Sequence, residues 1–131
     1  MCAGDPRPQS RRLTGARPRA RHPRVGALVI ACYRPHPGRA GELHALVREH
    51  VPALRALGLV TARAPVVMRA ADGSVLEIFE WISDEAAQRA HDLPEVRALW
   101  RRFETVCSWG RPGEVPGMGE FFPHFSPLED S

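Results

Sequence analysis

The sequence predicts an α+β domain, a four-stranded antiparallel sheet with two helices on one face, in the order β-α-β-β-α-β. Three observations predict it. Short β-rich apolar runs occupy residues 27–33, 65–69 and 75–82. Apolar side chains recur at helical period over residues 42–57 and again from Val96 to Cys107. Between the second and third β-rich runs stands Asp72-Gly73, a dipeptide suited to a hairpin turn.

Taken in order, residues 27–33 (ALVIACY) read as a mostly buried strand, ended by the turn Pro35-His36-Pro37-Gly38. Leu43, Leu46, Val47, Leu54 and Leu57 then form one helical stripe, within which His50 projects, and Gly58 is the expected stop. Pro52 removes an interior hydrogen bond and should bend this helix. PVVMR and VLEIFEWI are two strands of a hairpin, after which Ser83 supplies an N-cap followed by the acids Asp84 and Glu85. Pro94 disfavours a helical Leu93, and Asp92 with Glu95 has capping-box spacing, so the second helix should end near His91 and restart. Its continuation carries Val96, Leu99, Trp100, Phe103, Val106 and Cys107. Residues 120–125 are the candidate last strand, kept at an edge by Pro123.

A chain of 131 residues suits a single domain. Every one of its 18 basic residues is arginine, and residues 1–24 hold seven of them against the one acid Asp5, so the positive excess belongs to that segment. Leu13 is its one large aliphatic residue, so residues 1–24 are expected to be a disordered passive tail and residues 25–131 the folded domain. No aromatic residue interleaves those arginines to stack on bases, which argues against a nucleic-acid partner. No apolar run approaches membrane-spanning length, so no membrane association is expected. Cys2, Cys32 and Cys107 are odd in number and lack CxxC spacing, which fits a reducing cytoplasm better than a disulfide framework.

The element order is that of the ferredoxin-like, split β-α-β arrangement, whose helices leave one sheet face uncovered. On the third strand Val75, Phe79 and Trp81 share one face and Leu76, Ile78 and Ile82 the other, so both faces read as buried. A second copy of the sheet is the simplest cover, and a homodimer through the sheet face is expected.

Glu80-Trp81-Ile82-Ser83 at the strand-to-helix junction, then Glu85-Ala86, Ala90-His91, Pro94, Trp100 and Phe103, resemble the antibiotic biosynthesis monooxygenase-like domains of the dimeric α/β-barrel superfamily. The resemblance spans roughly residues 26–127. It implies a dimeric α/β barrel and, among the activities of that superfamily, cofactor-independent oxidation of quinols and polyketide aromatics. Haem-degrading members place a tryptophan and a histidine where this chain has Ala90 and Trp100, and the resemblance does not extend to them.

A buried carboxylate needs a partner, so Glu77 and Glu80, on opposite faces of one strand, each require one. If the aliphatic face packs under the helices, Glu80 looks toward the first helix, where His50 is the polar member of the stripe, and a Glu80–His50 pair follows. Glu77 would then meet an arginine across the dimer. The break before Pro94 turns His91 inward, making His50, Glu80 and His91 the candidate catalytic set. Glu80 or His50 would take a substrate proton, His91 would orient it, and oxygen would react with the resulting carbanion without a bound cofactor. Tyr33, Trp81, Trp100 and Phe103 are candidate walls of a pocket for a small apolar or aromatic ligand. The same residues admit a structural reading, a non-catalytic dimer whose Glu–His pair is satisfied in the core. Two histidines and a carboxylate can also hold a metal, but their spacing is not that of a compact metal motif, and none is expected.

Overall fold

The computed structural model describes residues 26–128; residues 1–25, which include the tail expected at 1–24, and residues 129–131 lie outside it. The elements are β1 (Ala27–Pro35), α1 (Ala40–Ala56), β2 (Val66–Arg69), β3 (Val75–Trp81), α2 (Asp84–Ala90), α3 (Pro94–Val106), β4 (Cys107–Gly110) and β5 (Ser126–Pro127). The sheet order is β4-β1-β3-β2-β5, with each neighbouring pair antiparallel. Its first four members have the ferredoxin-like order, in which two β-α-β units interleave. The two-residue β5 adds a fifth strand beyond the four expected.

Local chemistry sets the element ends. Gly58, at φ 73°, closes α1: its N–H donates to Arg55 O at 2.9 Å, and Leu59 N–H reaches back to Leu54 O at 3.0 Å. Ser83 Oγ accepts from Ala86 N–H at 3.0 Å and caps α2. The helix breaks where Pro94 predicts, and Pro94 occupies the first turn of α3, where its missing N–H costs nothing. The Asp92–Glu95 capping box does not form; the N-cap is Leu93 and no side chain caps it. α1 runs through Pro52 as one helix.

Residues 120–125 are not the fourth strand. β4 follows α3 without a linker and pairs with β1, setting Tyr33 opposite Trp109. Pro123 offers no N–H to a ladder. The chain beyond β4 instead lays Val115, Met118 and Phe125 on Cys32, Leu76 and Met68.

The register divides the sheet into two faces, because directly paired residues point the same way. Ala27 faces Trp81, Val29 faces Phe79, Ala31 faces Glu77 and Tyr33 faces Val75. This set packs under α1, α2 and α3. The aromatic face of β3 therefore lies beneath the helices and the aliphatic face away from them, the reverse of the arrangement on which a Glu80–His50 pair depends. On the open face one row, Gly110–Cys32–Leu76–Met68–Pro127, crosses all five strands, and the chain after β4 covers its centre. The next row, Ile30–Ile78–Val66, is bare: Ile30 is 45% and Val66 54% exposed.

Glu80 lies at the end of this open face, where Thr61 Oγ1 donates to Oε1 at 2.8 Å and Arg63 Nε at 3.0 Å. Those two bonds, Arg63 first, hold its carboxyl below the usual range. Because the folded value is the lower one, the stabilisation is present above the ordinary value of 4.5 and is lost as pH falls through the lowered one. Gly26, at φ 98°, passes so close to the Glu80 carboxylate that a Cβ would collide with it. Gly26→Ala should therefore cost about 1–3 kcal/mol, from the left-handed backbone and the displaced carboxylate together. Urea denaturation checks this; a change below about 0.5 kcal/mol would mean that neither constraint operates.

Candidate functional site

β3 and α1 bring a carboxylate and an imidazole together in the core, but the carboxylate is Glu77 and not Glu80. Glu77 is fully buried on the helix-facing side, and Ala31 and Val67 are its small cross-strand neighbours. His50, 3% exposed, descends from the buried stripe of α1, and its Nδ1 lies 2.8 Å from Glu77 Oε1. Tyr33, two residues along β1 from Ala31, donates its hydroxyl to the same oxygen at 2.7 Å. Trp100, on α3, donates its indole N–H to His50 Nε2 at 3.0 Å.

Donor and acceptor chemistry fixes the protons in this chain. An indole N–H is a donor only, so His50 Nε2 accepts and the ring proton sits on Nδ1, donating to Glu77. The His50–Glu77 contact is thus a hydrogen bond to a carboxylate, with the imidazole locked in one tautomer. Burial, and then the neighbouring Glu77 carboxylate, push the Tyr33 hydroxyl far above its ordinary value, which keeps the proton on its oxygen. Tyr33 Oη and His50 Nδ1 are 3.3 Å apart, and both spend their protons on the same carboxylate oxygen. Glu77 Oε2 is left buried without a hydrogen-bond partner.

Aromatic rings enclose the group. Phe103 stacks on Tyr33 with centroids 5.0 Å apart and meets His50 edge-on at 5.2 Å, while Phe79 meets His50 edge-on at 5.4 Å. Of the four expected pocket walls, Tyr33, Trp81 and Phe103 are buried core residues of the helix face. Trp100 is half-buried. His91 does not enter the core; it is exposed, and its ring packs on Trp100 at 5.1 Å. The two rings line a shallow depression of about 210 Å³ with Arg97, Arg101 and Glu104.

A larger open groove, about 390 Å³, runs between α1 and the β2 edge. Val47, Val51, Pro52, Pro65, Val67 and Leu128 give it apolar walls, and Arg48 and Arg55 line it as well. Its inner wall adjoins the buried network: Val67 is the cross-strand partner of Glu77, and Val47 and Val51 share the α1 stripe with His50. Glu77 and His50 themselves are not among its walls.

The expected set is thus partly assembled. His50 is in place, Glu77 takes the position assigned to Glu80, Glu80 is held by Thr61 and Arg63 across the sheet, and His91 lies outside Trp100. Glu77 meets Tyr33 and His50 within its own chain, in place of the arginine expected from a second copy. His50, Glu80 and His91 do not converge, and among the described residues no three His, Cys, Asp or Glu side chains are grouped to hold a metal ion. Burial raises the thiols of Cys32 and Cys107, the latter to about 11, which disfavours the nucleophilic thiolate form of either. Among the described residues no helix is long and apolar enough to cross a membrane.

No protein-family model matches the chain, and no curated protein matches it. Among solved structures, the chain is similar to the crystal structure of a protein assigned as an antibiotic biosynthesis monooxygenase from Chloroflexus aurantiacus J-10-fl, at 17% sequence identity and a TM-score of 0.49, over 82% of this chain and 94% of that one.

Proposed function

We propose that the protein is a homodimeric, monooxygenase-like domain of the cytoplasm that binds a small aromatic ligand, a phenol or quinol, in the groove between α1 and β2, with Glu77 as the base. The observation that carries this reading is Glu77 Oε2, a buried carboxylate oxygen without a donor among the described residues, on a residue whose cross-strand partner Val67 lines that groove with Val47 and Val51. A buried carboxylate costs several kcal/mol unless its oxygens are matched. An unmatched oxygen leaves a place for one more donor, which an acidic O–H or C–H of a ligand supplies once the valine layer opens. His50 Nε2 is committed to Trp100 and Tyr33 keeps its proton, so Oε2 is the basic lone pair left in the network. Groove volumes of about 300–1,000 Å³ suit small ligands.

In this reading the ligand proton passes to Glu77 and the carbanion left behind reduces dioxygen, the co-reactant. One oxygen atom bonds to the ring carbon; the other leaves as water with two hydrogens drawn from the ring C–H and the hydroxyls of the substrate, so that a quinol leaves as a hydroxyquinone. Apolar walls keep bulk water from the carbanion. No bound cofactor takes part.

A second reading, a non-catalytic dimeric binding or structural protein with His50 and Glu77 as its core pair, is favoured by the complete burial of Glu77 and by its separation from the groove walls. Oxygen uptake with a panel of hydroquinones and naphthols, in chelator-treated buffer, separates the two. Under the enzymatic reading the wild-type chain consumes oxygen and Glu77→Gln loses about 100-fold or more while remaining folded. Equal uptake by both proteins above the protein-free rate removes Glu77 as the base, and none by either leaves the structural reading standing.

A further inference from the structure

We propose that the α1–β2 groove selects organic anions, an aromatic carboxylate above all, with Arg55 as the receptor for the acid group. This rests on the groove being the ligand site proposed above, and it adds the chemical class of the ligand.

Arg48 and Arg55 stand seven residues apart on α1, two turns or about 10 Å along its axis, and both line the groove. Among the described residues no acidic one is among its walls. Arg55 is held by neutral groups: its Nε donates to Thr61 O and its Nη2 to Arg63 O, each at 3.3 Å. A guanidinium has five N–H donors, so three remain after those two bonds. The two carbonyls orient the planar fork without cancelling its charge, and among the described residues no carboxylate forms a salt bridge with it. Other arginines of the chain do have such partners, Arg63 with Glu80, Arg102 with Glu49 and Arg34 with Glu114.

An oriented fork matches a carboxylate with two parallel N–H···O bonds, and a groove with apolar walls takes the ring attached to it. A neutral amide of the same shape offers the fork one carbonyl acceptor and no charge beside the apolar contact. A cation meets like charge. The chemistry of the walls therefore ranks an aryl carboxylate above its amide, and the amide above an arylmethylammonium ion.

Calorimetric titration of the full chain with 2-naphthoate and 2-naphthamide tests this at low and at moderate ionic strength. Expected is about 10- to 100-fold tighter binding of the acid than of the amide, shrinking as salt is added. Arg55→Gln should remove that preference and weaken the acid far more than the amide, and Arg55→Lys, which keeps the charge but loses the fork, should retain part of it. Equal affinities for acid and amide in the wild-type chain overturn the proposal and leave the groove as a ligand site. A preference that survives Arg55→Gln also overturns it, because the anion is then held elsewhere. Failure of both compounds to bind overturns it together with the groove reading, whereas a lack of oxygen uptake would count against the base alone.

Discussion

His50→Ala should lower the folding free energy by about 3–5 kcal/mol, as expected when one partner of a buried pair is removed and the other stays buried. The substitution takes away the Nδ1 donor of Glu77 Oε1 and the Nε2 acceptor of Trp100 together. Tyr33 would then be the sole donor to a carboxylate with no exposure to water. It would also open a cavity between Phe79 and Phe103, both of which rest edge-on against the imidazole. Glu77→Leu should cost less than His50→Ala, since it removes the buried charge itself and strands two neutral donors, the Tyr33 hydroxyl and His50 Nδ1. The double substitution His50→Leu with Glu77→Leu should recover much of the loss, because apolar side chains of similar size replace both polar groups at once. Urea denaturation of His50→Leu, Glu77→Leu and the double variant forms a double-mutant cycle, with an expected coupling of about 1–3 kcal/mol. Strict additivity would mean that the two side chains do not meet in solution, and the candidate site would lose its centre. The cycle measures stability alone. It therefore complements the oxygen-uptake comparison of Glu77→Gln, which keeps the shape of the side chain and asks about chemistry.

The alternation of β3 tells that Glu77 and Glu80 point to opposite faces, but period two cannot say which face the helices cover. Both sets, Val75, Phe79 and Trp81 against Leu76, Ile78 and Ile82, are apolar enough for either role. The missing signal lay in cross-strand volumes. Small residues of β1, Ala27, Val29 and Ala31, pair with Trp81, Phe79 and Glu77 and leave room for large rings and for the His50 side chain above them. Leu28 and Ile30, the large aliphatic residues of β1, turn to the open face. Helical period was enough to place His50, because one polar side chain in an apolar stripe must enter the core with it. The break at Pro94 was legible for the same kind of reason, a covalent restriction on φ and on the residue before it. β4 was not legible: four residues that follow a helix directly carry too little pattern of their own, and tertiary pairing with β1 decides their conformation. Arg55 was equally hidden, since nothing local announces that its guanidinium folds back on the carbonyls of residues 61 and 63.

Ile30→Arg should turn a homodimer into a monomer. Ile30, Ile78 and Val66 form one apolar row across three strands, with Leu28 beside it at 63% exposure. The chain covers the adjacent row with its own Val115, Met118 and Phe125, and this one stays bare. A two-fold interface places a patch against itself, which an aliphatic row tolerates and a charged one does not. Glu80, the carboxylate beside this row, already accepts from Thr61 and Arg63, so a second sheet laid here would bury no unpaired charge. An arginine at position 30 would bring two guanidinium groups toward each other across the axis, and desolvation with like-charge repulsion would cost several kcal/mol. Ile30 is 45% exposed in the single chain, so the fold itself should tolerate the change. Light scattering coupled to size exclusion, at tens of micromolar protein, should give twice the 14.5 kDa chain mass for the wild type and the single mass for Ile30→Arg, with Ile30→Ala between them on dilution. A wild-type chain that stays monomeric at that concentration would leave the bare row without its proposed cover, and the dimeric part of the functional reading would fall with it.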